Sequence, residues 1–385
     1  MEVAMTPIHR SQCGYVQLDD VAASGPSDRL PQVAIVLHRR ERFGPETAGA
    51  IAMVVHRLAS AAPERTLVLG CSFSGPVFPD ICFQGIVGDS SLAFGIGVIR
   101  ALRAAAPEVV EVHQQPRLAR VIARLLPRTP IFLCLHNDPL DMRGLKRVEQ
   151  RARLLRNVDR VVCVSDWMKR RYETGIGRSD RVVVLSNPLT LAALPPPAHQ
   201  RRPEILFVGR VVADKGVADF IAACRLALPS LPEWSARIIG GDRFGPDSPD
   251  TPFLRDMRHA AAEAGVVFEG PRPHARVLEA MSAAAIVVVP SRWSEPFGLT
   301  ALEAMASGAA LITTAMGGLP EVAGEAALYV PPGSPDVLAD AMMRLATDPV
   351  ACATLIEAGL ARIARFDTHV IAARMDRLRT AALRA

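Results

Sequence analysis

Glu295 and Glu303 lie on either side of Gly298 in the segment running from Pro290 to Gly308. The glycine leads into a helix-forming stretch, Leu299-Thr300-Ala301-Leu302-Glu303-Ala304-Met305-Ala306. The first N–H groups of a helix have no intrahelical partner and attract phosphate. Carboxylates accept hydrogen bonds from hydroxyls. Together these groups suit a ligand that carries both a phosphate and several hydroxyls. A second cluster lies upstream, where Ile205-Leu206-Phe207-Val208 runs into Gly209-Arg210, with Lys215-Gly216 just before the next helix. A glycine lets a ligand approach the backbone, and two neighbouring cations can neutralise a diphosphate. Plainer readings stand beside these: a surface turn with two solvated cations, a solvated helix carboxylate at Glu303, and a loop carboxylate at Glu295 paired with Arg292.

The elements that must position these groups alternate between short apolar strands and amphipathic helices, which favours an α/β doubly wound design. In the first half, strands are expected at 33–37, 66–69, 109–112, 131–135, 160–164 and 182–185, with helices such as 46–59 and 117–126 between them. A proline-rich stretch from Leu194 to Pro203 continues neither sheet nor helix and reads as a domain linker. Alternation resumes with strands at 205–208, 235–239, 266–268, 286–289, 310–313 and 327–329, and helices at 217–227, 252–263, 274–281 and 299–306. Helical segments at about 335–346 and 350–383 close the chain. Residues 1–28 show no firm periodicity and read as a flexible N-terminal extension. The expected domains are 29–195, 196–360 and a C-terminal helix, 361–385, that packs back on the first domain. Ligands of open parallel sheets sit beyond the carboxyl ends of the strands, so two such domains imply a cleft between them.

At 385 residues the chain is long enough for two ordinary domains. Half of it is apolar, yet no run approaches the roughly 18 to 20 residues that span a bilayer. No secretory signal is visible, and the seven cysteines are scattered and never spaced C-x-x-C. That pattern fits a reducing cytosol and argues against a zinc site. The net charge of +5 is uneven: residues 1–195 hold about 25 Lys/Arg against about 18 Asp/Glu. Arg117, Arg120, Arg124 and Arg128 recur at helical spacing, and Lys146, Arg147, Arg151, Arg153 and Arg156 follow. These read either as a solvated face or as an attraction to anionic lipid or a pyrophosphate-bearing acceptor. Nucleic acid is disfavoured, because aromatic residues make up only 5% of the chain and leave little for base stacking.

Other chemistries fail on particular residues. Gly70-Cys71-Ser72-Phe73-Ser74-Gly75 lacks the Lys-Ser/Thr of a phosphate loop and reads as a turn, and Gly95-Ile96-Gly97 lacks the third glycine of a dinucleotide fingerprint. The sequence has no G-x-S-x-G, H-E-x-x-H or D-x-D.

The chain resembles the retaining glycosyltransferases of the GT-B fold, of the family-4 type (glycosyl transferases group 1). The second half carries the resemblance densely. Its matching features are Gly209-Arg210 with Lys215-Gly216, Gly240-Gly241, Phe268-x-Gly270, Pro290-Ser291, Glu295-Pro296-Phe297-Gly298 with Glu303-Ala304-Met305-Ala306-x-Gly308, and Gly317-Gly318-x-Pro320-Glu321. The first half matches more thinly, through Val112-His113-Gln114-Gln115-Pro116, Leu135-His136-Asn137, Val164-Ser165 and Ser186-Asn187-Pro188. It departs from the family at the first strand, where Arg39-Arg40-Glu41-Arg42-Phe43-Gly44 stands in place of a Gly-Gly loop.

The resemblance implies two Rossmann-like domains facing across a cleft and a hexosyltransferase-type enzyme that is retaining, metal-independent and free of cofactors. Arg210 and Lys215 would bind the diphosphate of a UDP- or GDP-linked donor, and the amides at Gly298, Leu299 and Thr300 would cradle its phosphates. Glu303 would hold the ribose, Glu295 the donor sugar, and Arg272 would lie near the base. His113 would sit near the anomeric carbon, although a satisfied strand-end histidine is the rival reading there. Gly44 would serve the acceptor end; His136 is not assigned to catalysis. The acceptor is expected to be a glycan or lipid-linked glycan of cell-surface polysaccharide or glycolipid biosynthesis. The protein is expected to be cytoplasmic, with peripheral contact at the inner face of the membrane through the basic first half. The alternatives are a nucleotide-sugar epimerase or phosphorylase of the same fold, and a non-catalytic nucleotide-sugar-binding subunit.

Overall fold

A computed structural model describes residues 32–196, 200–242 and 250–384. The expected N-terminal extension and the middle of the proline-rich linker lie outside the described residues. The chain forms two compact units. One comprises the residues up to Pro188 together with those from Thr368 onward, and the other is Leu189–Asp367.

The first unit is built on seven parallel strands: β1 (Val33–Val36), β2 (Thr66–Cys71), β3 (Cys82–Ile86), β4 (Val109–His113), β5 (Ile131–Leu135), β6 (Arg160–Cys163) and β7 (Val182–Val184). Their spatial order is β3-β2-β1-β4-β5-β6-β7. All four residues of β1 and all five of β4 and β5 are buried, as strands covered by helices on both faces must be. Strand order reverses between β1 and β4, and the crevice beyond such a reversal is where this architecture receives ligands.

The second unit repeats the plan with six strands: β8 (Arg202–Val208), β9 (Ser235–Ile239), β10 (Val266–Gly270), β11 (Ala284–Val289), β12 (Ala310–Thr313) and β13 (Leu328–Tyr329). The order is β10-β9-β8-β11-β12-β13, with the reversal between β8 and β11. Ile205, Phe207, Ile286, Val288 and Ile312 form the middle of its core, joined by Phe220 and Val217 from the helix Val217–Ala227.

Three features differ from expectation. The strand β3 and the helix Ser91–Ala105 are not among the elements named from the sequence. The edge strand β3 is only half buried, so it carries no apolar run, and Gly95 and Gly97 lower the helix signal of the segment that follows. A side chain at Gly97 would stand 2.5 Å from Ile86, so that helix packs too closely on β3 for anything larger. The expected helix over 350–383 is in fact two, Pro349–Ile363 and Thr368–Leu383, separated by a short 3-10 turn and Asp367. Phe366 is buried against Phe297 at this break, and the N–H of Leu189 donates to the Phe366 carbonyl at 2.8 Å. Among the described residues no helix is long and apolar enough to cross a membrane.

Candidate active site

In the second unit the predicted cluster gathers at the reversal between β8 and β11. Beyond β8 the chain passes through Gly209 and the exposed Arg210 to a 3-10 turn, Ala213–Lys215, and Gly216. Gly216 has φ +70°, and a Cβ there would sit 1.9 Å from the Pro290 carbonyl oxygen, so only glycine lets the two loops approach. The loop beyond β11 is tied to the same turn. The Asp214 carbonyl accepts from the N–H groups of Arg292 and Trp293 at 2.9 and 3.3 Å.

Lys215 Nζ meets Glu295 Oε1 at 2.5 Å, and Ser291 Oγ donates to the same oxygen. Glu295 is 7% exposed, and its backbone is fixed by a bridge to Gly317 and by the Gly318 N–H, which donates to its carbonyl at 2.7 Å. The proposed phosphate-binding cation and the proposed sugar-binding carboxylate thus form one contact. Arg292 does not pair with Glu295; its guanidinium forks onto both carboxylate oxygens of Asp219. The plain reading of Glu295 is therefore set aside.

Gly298, left-handed at φ +110°, caps the helix Leu299–Ala306, and Gly298, Leu299 and Thr300 are all partly exposed at its start. Glu303 is 8% exposed and meets His274 Nε2 at 2.9 Å. It is not a solvated helix carboxylate. Arg272 is engaged by Glu269 at 2.7 Å, and Glu269 is shared with Arg237, which also binds Glu204. These contacts hold Glu269 below the ordinary carboxylate range despite the opposing effect of burial.

In the first unit His113 ends β4 at the other reversal and is 1% exposed. Its Nδ1 lies 2.9 Å from Nε2 of the partly exposed His136, and the rings stack with centroids 5.1 Å apart. Behind it, Glu111 is fully buried and takes Arg379 of the helix Thr368–Leu383 through Oε1, at 2.7 Å from Nε and 2.6 Å from the terminal nitrogen. Arg379 also binds Asp376, which in turn binds Arg65. Burial works against the Glu111 charge, but Arg379 and His113 outweigh it and set its pKa below the usual carboxylate value. Burial and then the neighbouring His113 push His136 well below an ordinary imidazole, against a hydrogen bond with Asn187. Gln115 Nε2 donates to the Leu37 carbonyl across the reversal at 2.8 Å. Gly44 is packed against the Pro76 carbonyl, where a Cβ would meet the oxygen at 2.0 Å.

Glu111, His113 and Cys134 bring potential metal-binding atoms within 4.8 Å of one another. Arg379 already neutralises Glu111, and burial followed by the Glu111 charge pushes the Cys134 thiol pKa well up. A cation there would compete with a guanidinium and need a thiolate that this environment opposes. The cluster reads as a polar knot.

The unfolded chain takes a proton on His136 near pH 6.5, whereas the folded chain resists until a lower pH. Acid therefore favours the unfolded state, and Glu111 adds a second loss below pH 4.5, its value when unperturbed. Stability measured by urea unfolding is expected to fall between pH 7 and 5 in the wild type and to flatten in His136→Gln. An unchanged slope in that variant would assign the loss elsewhere.

Sequence reasoning missed Ser291, Asp219, His274, Glu111 and Arg379. Glu111 did leave a signal: a lone carboxylate inside Val109-Val110-Glu111-Val112 demands a buried partner. The basic run also needs a correction. Arg151 is buried, not part of a surface, and donates to the carbonyls of Leu145, Lys146, Tyr172 and Thr174. The helix Pro116–Leu125 does expose Arg117 and Arg124 beside Val121 and Leu125, and the helix Ser91–Ala105 exposes Leu92 and Ile96 beside Arg100 and Arg103.

Two parallel-sheet Rossmann-like units of this order are shared with solved GT-B glycosyltransferases. Sucrose-phosphate synthase from Thermosynechococcus elongatus superposes with a TM-score of 0.73 at 22% identity, covering 91% of this chain and 98% of that one. Anabaena HepE, solved in complex with UDP and glucose, gives 0.74 at 17% identity over 91% and 99%. Family models agree: Glycosyltransferase Family 4 matches residues 51–192, and Glycosyl transferases group 1 matches 195–362. The chain belongs to the group 1 glycosyltransferases of the family-4 type. One curated relative, D-inositol 3-phosphate glycosyltransferase of Corynebacterium glutamicum, is 40% identical over 152 residues, 37% of this chain and 35% of that protein. The chain spans under half the length of the first three curated relatives it matches.

Proposed function

We propose that the protein transfers a hexosyl group from a nucleoside-diphosphate sugar to an acceptor hydroxyl, with retention at the anomeric carbon and without a metal ion or cofactor. The observation that carries this reading is the Lys215–Glu295 contact at the strand reversal, beside Arg210 and the open start of the helix Leu299–Ala306. A diphosphate would engage Lys215, Arg210 and the amides at Gly298, Leu299 and Thr300. Glu295 would turn to the sugar hydroxyls and Glu303 to the ribose. Two cations and a helix N-terminus would supply positive charge to the departing diphosphate, which supports a reaction without a divalent ion. Arg272 would lie toward the base, Gly44 toward the acceptor, and His113 near the anomeric carbon. The complexes of HepE with UDP and with UDP-glucose favour a UDP-linked donor over a GDP-linked one.

A lipid-linked acceptor of cell-surface glycan synthesis, met at the inner face of the membrane, is supported by the exposed arginines and aliphatic side chains shared by the helices Ser91–Ala105 and Pro116–Leu125. The test is a panel of UDP-, GDP- and dTDP-sugars, scored by release of nucleoside diphosphate with and without EDTA, with the product anomer read by NMR. One donor is expected to turn over, insensitive to EDTA, with its configuration kept. An inverted product would overturn retention, and EDTA-sensitive turnover would overturn metal independence. If no donor bound or released its diphosphate, the non-catalytic alternative and the transferase reading would both be lost.

A further inference from the structure

The two histidines of the first unit are not equivalent. His113 is 1% exposed, whereas His136 as a residue is half-buried, just beyond the end of β5. We infer that His136 is the ring that meets the substrate, and that Glu111 and Arg379 are positioning residues that set its tautomer through His113. The inference rests on the transferase reading for what the substrate is, but the hydrogen-bond pattern it assigns does not.

Glu111 Oε2 and His113 Nε2 are both buried with no hydrogen-bond partner, and they face one another at 3.8 Å. That distance is too long for a hydrogen bond, but two bare lone pairs facing each other in a low-dielectric interior would repel. The carboxylate therefore favours a proton on His113 Nε2. A neutral His113 then has a bare Nδ1, which accepts from Nε2–H of His136 at 2.9 Å. The proton of a neutral His136 is thereby committed inward, and its remaining nitrogen, Nδ1, becomes an acceptor, with the Asn187 side chain beside the same ring as a competitor for it. Such a ring accepts a hydrogen bond from a sugar hydroxyl. Arg379 holds Glu111 ionised and occupies only its other oxygen, which leaves Oε2 aimed at His113.

The backbone supports the same assignment. Gln114, directly after β4, has φ +60°, a left-handed conformation uncommon for a residue other than glycine. In that conformation its side-chain oxygen accepts from the His136 N–H at 2.7 Å, while its own N–H donates to the Cys134 carbonyl at 2.9 Å. The strained turn grips the His136 backbone. A cavity of about 20 Å³ borders both rings, together with Ser186 and Asn187, enough for one water beside the pair.

The test has two readouts on the full chain. In ring-¹⁵N spectra of histidine-labelled protein, His113 and His136 should both appear as Nε2–H tautomers, and Glu111→Gln should redistribute them. Finding His113 as the Nδ1–H form, or no change in Glu111→Gln, would overturn the relay. In kinetics, His136→Ala should lower kcat about 100-fold, with calorimetric UDP affinity unchanged. His136→Gln, which keeps an acceptor, should recover part of the rate. A His136→Ala enzyme at near wild-type kcat would return the substrate-facing role to His113. Melting curves of Glu111→Gln separate a tautomer effect from unfolding, since Asp376 still partners Arg379 in that variant. A wild type that transfers nothing would sink the proposed function, while the spectra would still decide the tautomers.

Discussion

Arg379→Leu is expected to be the most damaging single substitution in the first unit, costing about 3–5 kcal/mol of stability. The change removes the cation from a fully buried carboxylate and leaves Glu111 ionised and unpaired, or forces it to take up a proton. It also strips one partner from Asp376, which keeps only Arg65. Against a total stability of roughly 5–15 kcal/mol, such a loss is large enough to lower the urea midpoint severely. The double variant Glu111→Gln/Arg379→Leu should regain much of it, because removing both charges leaves no uncompensated ion. If Arg379→Leu unfolded at the wild-type urea concentration, the buried pair would not be holding the helix Thr368–Leu383 to β4.

The second large effect falls on turnover. Lys215→Ala should reduce transfer by about 10²–10³-fold, the scale observed when one electrostatic donor to a developing charge is removed. Arg210→Ala should act in the same direction. The Lys215 variant also leaves Glu295 with Ser291 as its remaining hydrogen-bond donor, so a modest fall in melting temperature is expected. Glu295→Gln separates the two consequences: it releases Lys215 for phosphate while weakening the hold on the sugar. Turnover should then fall further than nucleoside diphosphate affinity. Near-normal turnover in both Lys215→Ala and Arg210→Ala would contradict the site.

The second unit was legible in unusual detail because its strands are central, apolar and punctuated by glycine. The helices 217–227, 252–263 and 299–306 and the strands 235–239 and 310–313 fall where their patterns place them. The edge strand β3 was not readable, since half-exposure erases the alternation that marks a strand. Nor was the helix break at Asp367, which no proline or glycine announces. At the site, sequence could nominate Lys215, Glu295 and Glu303 from their neighbours along the chain. It could not reveal that Lys215 and Glu295, eighty residues apart, touch one another. The partner of Glu111 is harder still, separated by 268 positions.

That separation bears on how the molecule is made. The second unit is one uninterrupted span of chain, and every strand of its sheet is available once Tyr329 has emerged from the ribosome. The first unit is synthesised first yet waits longest. Its sheet is complete at Val184, but the guanidinium that neutralises Glu111 arrives nearly two hundred residues later. Between those moments a nascent β4 carries a carboxylate that cannot be buried cheaply. Glu111 can therefore be buried as a paired ion only after the helix Thr368–Leu383 has been synthesised.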